Sequence, residues 1–552
     1  MKTQFIGKIL KEMGVVSQEQ IDAAVHVQKV TGEALGEVLV QLNFVTTEEL
    51  AHAIALQNGL DYVDLDGYLP ARETLELVDR EFALLNRVIP LKIEDGVLVV
   101  ATTWPDDDAI HDHLEESSGY PIRFVVSDSV AVGKYLQLYY EQLDASIEER
   151  IGTIIKASVE EEVDAIAFVE LIINNAVKER ATDIHIMPER FTSHIFYRID
   201  GVLKHAFSIP VALYNSVVIR LKVLGDLDIS QHLQPQNGEF DIAFYQNRYN
   251  IRVSSIPTLN GEKLALRLMP ENFRLYTLEN LGFEADLVEQ ISRDLQKRSG
   301  IILVIGSSGS GKTTTLYAMM RKIDILRRNV ISVEEPVEYR LPFVNQIETR
   351  PRADYTLNKA LYHIARQDPD VIAIGEILDE ETAKLTLRSA VTGHLILSTL
   401  SGGSAVTAIA RLKDLGINAH LLSDGLLAVL SQKLLRRLCS ECKKEVEIPK
   451  ETLIGYFGES REEILSLPDE RVKLYEPVGC PHCRESGYVG RVAIAEYFRV
   501  DETIREMIEH GKSSTEMQRY IRSSGSSDIK ADALKKLLKG TTDLEEVRRI
   551  IG

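Results

Sequence analysis

301-IILVIGSSGSGKTTTLYAMM-320 is the stretch that decides the fold. Its first five residues are apolar and mostly β-branched, which predicts a short buried strand. Gly306-Ser307-Ser308-Gly309-Ser310-Gly311-Lys312-Thr313 then fits the pattern G-x-x-x-x-G-K-[ST] in full, and Thr314 opens a helix-like run. A glycine-rich turn between strand and helix lets backbone N–H groups converge on phosphate oxygens, and the helix N-terminus adds partial positive charge. In such a loop Lys312 reaches the β- and γ-phosphates and Thr313 holds Mg²⁺.

Around this loop, VISV (330–333), VIAI (371–374) and LILSTL (395–400) are further short β-rich runs separated by helix-like segments. Strands alternating with helices predict an α/β domain with a buried parallel sheet. Asp370-Val-Ile-Ala-Ile-Gly375-Glu376 is an apolar strand ending in a carboxylate, the second metal or water position of a P-loop nucleoside triphosphatase. Val333-Glu334-Glu335-Pro336-Val337-Glu338-Tyr339 puts three carboxylates at a strand's C-terminal end, where they are expected to face the ligand crevice. There they could orient Mg²⁺ or take a proton from water, although spacing alone fits a solvated acidic loop equally well.

The chain has 552 residues and a formal charge of 63 − 83 = −20. Its 45% hydrophobic and 26% charged residues exclude wholesale disorder and fibrous classes. No apolar run is long enough for a membrane span, and the start MKTQFIGKILKEMG does not read as a signal peptide, so a cytoplasmic protein is expected. The acidic balance and the lack of a basic stripe argue against direct nucleic-acid binding.

Upstream, residues 5–28 and 34–57 are copies at an offset of 29. Gly7 pairs with Gly36 and Gln28 with Gln57. Ser17 with Gln20 and Thr46 with Glu49 are spaced as capping boxes, so each copy predicts two short helices. From Tyr62 to about Tyr140 the pattern is mixed, with a hairpin signal at Asp95-Gly96 and a strand at IRFVVS, a small α+β domain. Charged residues 141–164 read as a partly helical linker. A helix from Ile166 and strands at IHIMP, HIFYRIDG, GEFDIAF, YNIRVSSIPT and KLALRLM then form a second α+β unit.

All four cysteines lie late, as Cys439-x-x-Cys442 and Cys480-x-x-Cys483, with 37 residues between the pairs. Two C-x-x-C knuckles point to a closed, tetrahedral Zn²⁺ site. Reduced structural thiols or a redox pair are the alternatives. The intervening loop is long enough to carry its own helix.

IGSSGSGKTTTLYAMM, VEEPVEY, ARQDPDVIAIGEILDEETAK, AVTGHLILSTL, ATDIHIMPE, FYRIDGVL, IRVSSIPTLNGEKLALRL and CPHCRESGYVGRVAIAEYF together resemble, in order, the motifs of the ATPases of type II secretion and type IV pilus assembly. The resemblance implies a RecA-like P-loop motor domain at 276–552, including a tetracysteine zinc subdomain at 438–484. It implies a PAS-like domain at 165–275, a linker at 143–164, the small α+β domain at 61–142 and the repeat module at 1–60. By position Glu338 matches the family's water-activating glutamate, Glu334 supports the site, and Glu376 matches the Walker B glutamate. His394 matches the first part of the histidine box. Arg252 and Arg267 match arginines that reach a neighbouring subunit's phosphates. The cofactors implied are ATP, Mg²⁺ and Zn²⁺. The partners implied are five further copies in a homo-hexamer, an inner-membrane platform protein and the cytoplasmic domain of a membrane-anchored assembly protein. The repeat resembles a duplicated cyclic di-GMP-binding module, but Phe5-Ile6-Gly7 and Ala34-Leu35-Gly36 lack its opening arginine, so ligand binding and docking both stand. Leu378 stands where the family has arginine and Ser401 where it has a second histidine. These departures bear on hydrolysis or its coupling to motion. A weakly hydrolysing regulatory or scaffolding subunit is therefore the alternative function.

Overall fold

The computed structural model describes residues 6–65, 68, 70–141, 147–159, 164–244, 247–270, 277–349, 355–458, 464–467, 469–524 and 528–552. Two compact units emerge. One comprises Met1–Ile21, Gln28–Val40 and Val45–Arg274, the other Asp22–Val27, Gln41–Phe44 and Leu275–Gly552.

The repeat folds as helices Ile6–Glu12, Gln18–Thr31, Leu35–Gln41 and Thr47–Asn58. Both capping boxes are present. Ser17 and Thr46 accept from the amides of Gln20 and Glu49, whose side chains accept in return from the cap amides. A Cβ at Gly36 would stand 2.8 Å from the Cδ1 of Leu50, so this glycine sits at a close contact between two helices of the repeat. Phe5 lies outside the described residues.

In the first unit, strands β1 (Val88–Glu94), β2 (Val97–Thr102) and β3 (Ile122–Val126) form a small sheet in that order. Asp95 and Gly96 both take positive φ, 52° and 78°, as a tight hairpin between twisted strands requires. Helix Ile147–Ala157 occupies much of the stretch read as a linker, with Ile147 and Ile151 buried in the unit's apolar core. The flanking residues 142–146 and 160–163 lie outside the described ones.

Strands β4 (Ala181–Pro188), β5 (Thr192–Ile199), β6 (Val202–Pro210), β7 (Gln236–Phe244), β8 (Asn247–Thr258) and β9 (Gly261–Pro270) make an antiparallel sheet ordered β6-β5-β4-β9-β8-β7. Ile184, Ile186, Leu264 and Leu266 alternate onto its buried face.

The second unit is built on β10 (Gly300–Gly306), β11 (Val330–Glu334), β12 (Val344–Glu348), β13 (Val371–Ile374), β14 (Leu395–Ser401), β15 (Leu426–Leu438) and β18 (Tyr488–Arg499), ordered β12-β11-β13-β14-β10-β15-β18. All neighbours are parallel except β15 and β18, so the expected parallel sheet is in fact mixed. β10, β11 and β13 are buried throughout, which explains their unbroken apolar runs. Between the cysteine pairs lie helix Lys450–Tyr456 and a two-stranded sheet of β16 (Lys444–Pro449) and β17 (Arg471–Glu476).

Candidate nucleotide site and metal centre

Parallel strands put their C-terminal ends on one edge, and there the second unit gathers its chemistry. β10 ends in the glycine loop and helix Lys312–Lys322 starts from it. Gly309 and Gly311 take φ of 75° and 87°, left-handed values that side-chain-bearing residues avoid. A Cβ on Gly306 would sit 2.7 Å from the Gln432 carbonyl oxygen, so the cradle exists only because Cβ atoms are missing. Ser307, Ser308 and Gly309 are exposed, Ser310 is buried, and Gly311, Lys312, Thr313 and Thr314 are half-buried. Lys312 Nζ donates to the carbonyls of Gly306 at 3.1 Å and Ser307 at 3.2 Å, which keeps its charge over the loop. This geometry and donor set fit a nucleotide polyphosphate.

On the same edge Glu376 follows β13, half-buried, and accepts from the Ser401 hydroxyl at the end of β14. Ser401 is the register partner of Gly306, so β14 carries Glu376's hydrogen-bond donor to the root of the loop.

The three carboxylates after β11 do not act alike. Glu335 and Glu338 are exposed, whereas Glu334 is 3% exposed and turns inward. Its carboxylate accepts from Tyr317, from Ser332 at 2.6 Å and from Gln346 at 3.3 Å. The expectation that all three face the crevice is corrected. Val333 and Glu334 are both buried at the strand end, and donors from the P-loop helix and β12 draw the Glu334 carboxylate inside. Burial, together with the adjacent Glu334 charge, raises the Tyr317 pKa far above that of a free phenol, so its hydroxyl stays a donor. The same oxygen accepts from the amides of Glu338 and Tyr339, each at 3.3 Å.

His394 is not brought to this edge. It precedes β14, its carbonyl accepts from Gly300 N at the start of β10, and its Nδ1 lies 3.0 Å from the Ser389 carbonyl. A strand's length separates it from the loop. Arg252 and Arg267 belong to the first unit, where they are register partners on β8 and β9. Like charges placed opposite each other repel. Asp183 of β4 offsets this by pairing with Arg267 at 3.0 Å.

Sequence reading missed Tyr317, Ser401 as a donor, and Gln432. Gln432 is 1% exposed on β15 and contacts the loop directly. Its signal was a polar residue inside the run LLAVLSQKLL.

The four cysteines are unbridged thiols gathered in one cluster. Sγ separations are 3.8 Å for Cys439 and Cys480, 3.7 Å for Cys442 and Cys483, and 3.7 Å for Cys480 and Cys483. A tetrahedron with metal–sulfur bonds of about 2.3 Å has edges of about 3.8 Å, so the donor set fits Zn²⁺. Burial pushes the Cys439 thiol up to about 12. Burial acts the same way on Cys483, but amide donors from Cys480 and Gly487, together with the thiols of Cys442 and Cys480, outweigh it and bring that thiol down to about 7.

Residues 159–549 match the family described as Type II/IV secretion system protein, and residues 58–146 match the MshEN domain. The MshEN match thus falls on the small α+β region and touches only the end of the repeat. The type IV pilus assembly ATPase PilB of Myxococcus xanthus is 32% identical over 561 residues, covering 98% of this chain and 98% of its own length. The type II secretion system ATPase E of Vibrio cholerae is 37% identical over 391 residues, 71% of this chain and 76% of that protein. The ATPase DotB of Legionella pneumophila shares the fold, with a TM-score of 0.52 at 18% identity over 71% of this chain and 97% of that one. Matched over most of its length by that family, and nearly end to end by a relative at 32% identity, the chain belongs to the Type II/IV secretion system protein family.

Proposed function

We propose that this chain is an ATP hydrolase that drives assembly of a type IV pilus or a type II secretion pseudopilus. The observation that carries this reading is the convergence of the glycine loop, the Glu338 segment and Glu376 on one sheet edge. The backbone amides from Ser307 to Thr314 and the Lys312 ammonium bind the β- and γ-phosphates. Thr313 would hold Mg²⁺, which would supply positive charge beside those phosphates. Glu338 takes the proton of the water as its oxygen bonds to the γ-phosphorus and ADP leaves, and Glu376, steadied by Ser401, orients that water and would help to hold Mg²⁺. Arg252 and Arg267 of one subunit stabilise the transferring phosphoryl group at its neighbour's loop within a homo-hexamer, which ties hydrolysis to subunit geometry.

Cys439, Cys442, Cys480 and Cys483 would hold structural Zn²⁺ in a lobe that meets the membrane platform. Among the described residues no helix is long and apolar enough to cross a membrane. The motor acts in the cytoplasm and reaches the inner membrane through the platform and a membrane-anchored assembly protein. Residues 1–60 are a docking or cyclic di-GMP-binding module, and calorimetry with cyclic di-GMP separates the two.

The test is phosphate release by the purified full-length chain with Mg²⁺-ATP. Turnover abolished by Lys312→Ala and by Glu338→Gln supports the motor. Turnover untouched by Lys312→Ala overturns it. A second reading, a nucleotide-binding subunit with weak hydrolysis, draws on Leu378, which is 69% exposed in place of an arginine. Tight ATP binding with no turnover beyond that of Glu376→Ala favours it.

A further inference from the structure

Gln432 lies on β15, hydrogen-bonded in parallel to β10 on one side and antiparallel to β18 on the other. A strand held on both flanks is a rigid mount. The Gln432 side chain leaves this mount and crosses under the glycine loop. Its Nε2 donates to the Ser310 carbonyl at 2.7 Å, and its Oε1 accepts from the Thr315 hydroxyl at 2.8 Å. Ser310 belongs to the loop and Thr315 to the first turn of the helix after it, so one carboxamide ties both halves of the phosphate cradle to the sheet.

The loop glycines are shaped around the same residue. A Cβ on Gly311 would stand 3.1 Å from Gln432 Nε2, and one on Gly306 2.7 Å from the Gln432 carbonyl oxygen. Both polar ends of the buried carboxamide are satisfied by loop and helix, so its geometry is fixed from both sides.

We infer that Gln432 is a positioning residue for nucleotide binding: it holds the Ser310 peptide and the first turn of the Lys312 helix in the arrangement that aims their amides at phosphate. The inference rests on the nucleotide reading above. Gln432 touches no substrate atom and acts through the loop.

Gln432→Met keeps length and volume but removes donor and acceptor. In the full-length protein its affinity for a fluorescent ADP should fall at least tenfold, with KM for ATP rising in parallel. Gln432→Glu keeps the acceptor for Thr315, but its ionised form cannot donate to Ser310. Burial at this site raises a carboxyl far above its free range, so the affinity of the variant relative to wild type should improve as pH falls from 8 to 6 and the carboxyl regains a proton. A residue that only fills space would lower the melting temperature and leave the affinity of the folded fraction, and its pH profile, unchanged.

If Gln432→Met does not fold, Thr315→Val decides, since it removes one of the two bonds and should weaken ADP about threefold. Wild-type affinity in the folded variants overturns the inference while leaving the ATPase reading intact. Failure of the wild type itself to bind ADP overturns both.

Discussion

The phenol hydroxyl of Tyr317, on the helix that Lys312 opens, donates to the buried carboxylate of Glu334 at the end of β11. The same oxygen receives the amides of Glu338 and Tyr339, so the helix after the glycine loop and the segment that carries Glu338 share one atom. Tyr317→Phe leaves that carboxylate short of a donor and those amides short of an acceptor. The expected cost is about 1–3 kcal/mol in urea denaturation. Because the Glu338 segment loses its anchor, kcat should fall about tenfold while KM for ATP moves much less. Glu334→Gln in the same background should recover part of the stability, since the under-partnered charge is removed. Two losses that simply add would show that the residues do not act together.

Ser401 gives Glu376 a hydroxyl donor where the family has a histidine. Ser401→Ala should lower kcat about three- to tenfold, the worth of one hydrogen bond to a half-exposed carboxylate. ADP affinity should stay put, because the glycine loop is untouched. Restoring the family residues, Leu378→Arg with Ser401→His, should raise kcat. An unchanged kcat would free both positions from any part in the rate.

The arginines make a prediction about assembly. If Arg252 and Arg267 act on a neighbour's nucleotide, an Arg252→Ala, Arg267→Ala chain and a Lys312→Ala chain are each inactive for different reasons. Mixed one to one and reassembled, about a quarter of the interfaces join an intact loop to intact arginines, and activity should return in that proportion. Arginines acting within their own chain would leave the mixture as inactive as its parts.

The cysteine cluster should retain one equivalent of zinc per chain on metal analysis. Cys480→Ser should release it and destabilise the protein by several kcal/mol, because a structural site contributes its binding energy to folding. A strong chelator should reproduce the loss of stability, and added Zn²⁺ should reverse it. Full stability in metal-free protein would make the cluster a set of reduced structural thiols.

What could be read in advance follows the range of the interactions. The loop, β10, β11, β13 and β14 are short, apolar and bounded by turn residues, so local pattern suffices for them. The two capping boxes and the Asp95-Gly96 turn are likewise local. β15 was illegible because LLAVLSQKLLRRL is rich in helix formers. Only its place between β10 and β18, the latter about sixty residues further on, makes it a strand. The inward turn of Glu334 depends on Tyr317 and Gln346, which spacing within VEEPVEY does not report.

Glu546 gives the acid limb of stability a definite sign. It is 1% exposed in helix Leu544–Ile551 and is gripped from two sides. Arg436 of β15 donates through its backbone N and its Nε at 2.9 Å each, and Arg549 through Nε at 2.8 Å and Nη2 at 2.6 Å. Burial pushes the carboxyl pKa up, but Arg549 and Arg436 outweigh it, and the net shift is downward. A carboxyl depressed in the folded state contributes its full stabilisation above the unfolded value of about 4.3 and loses it as pH falls through the folded value. Urea midpoints should therefore hold steady from pH 7 to about 5 and then drop below about 4, as this helix loses its grip on β15. Glu546→Gln should flatten its share of that drop. At pH 7 it should cost about 3 kcal/mol or more, because two arginines lose their common partner. A variant with the wild-type acid slope and wild-type stability at pH 7 would show that this ion-pair cluster does not hold the C-terminal helix to the sheet.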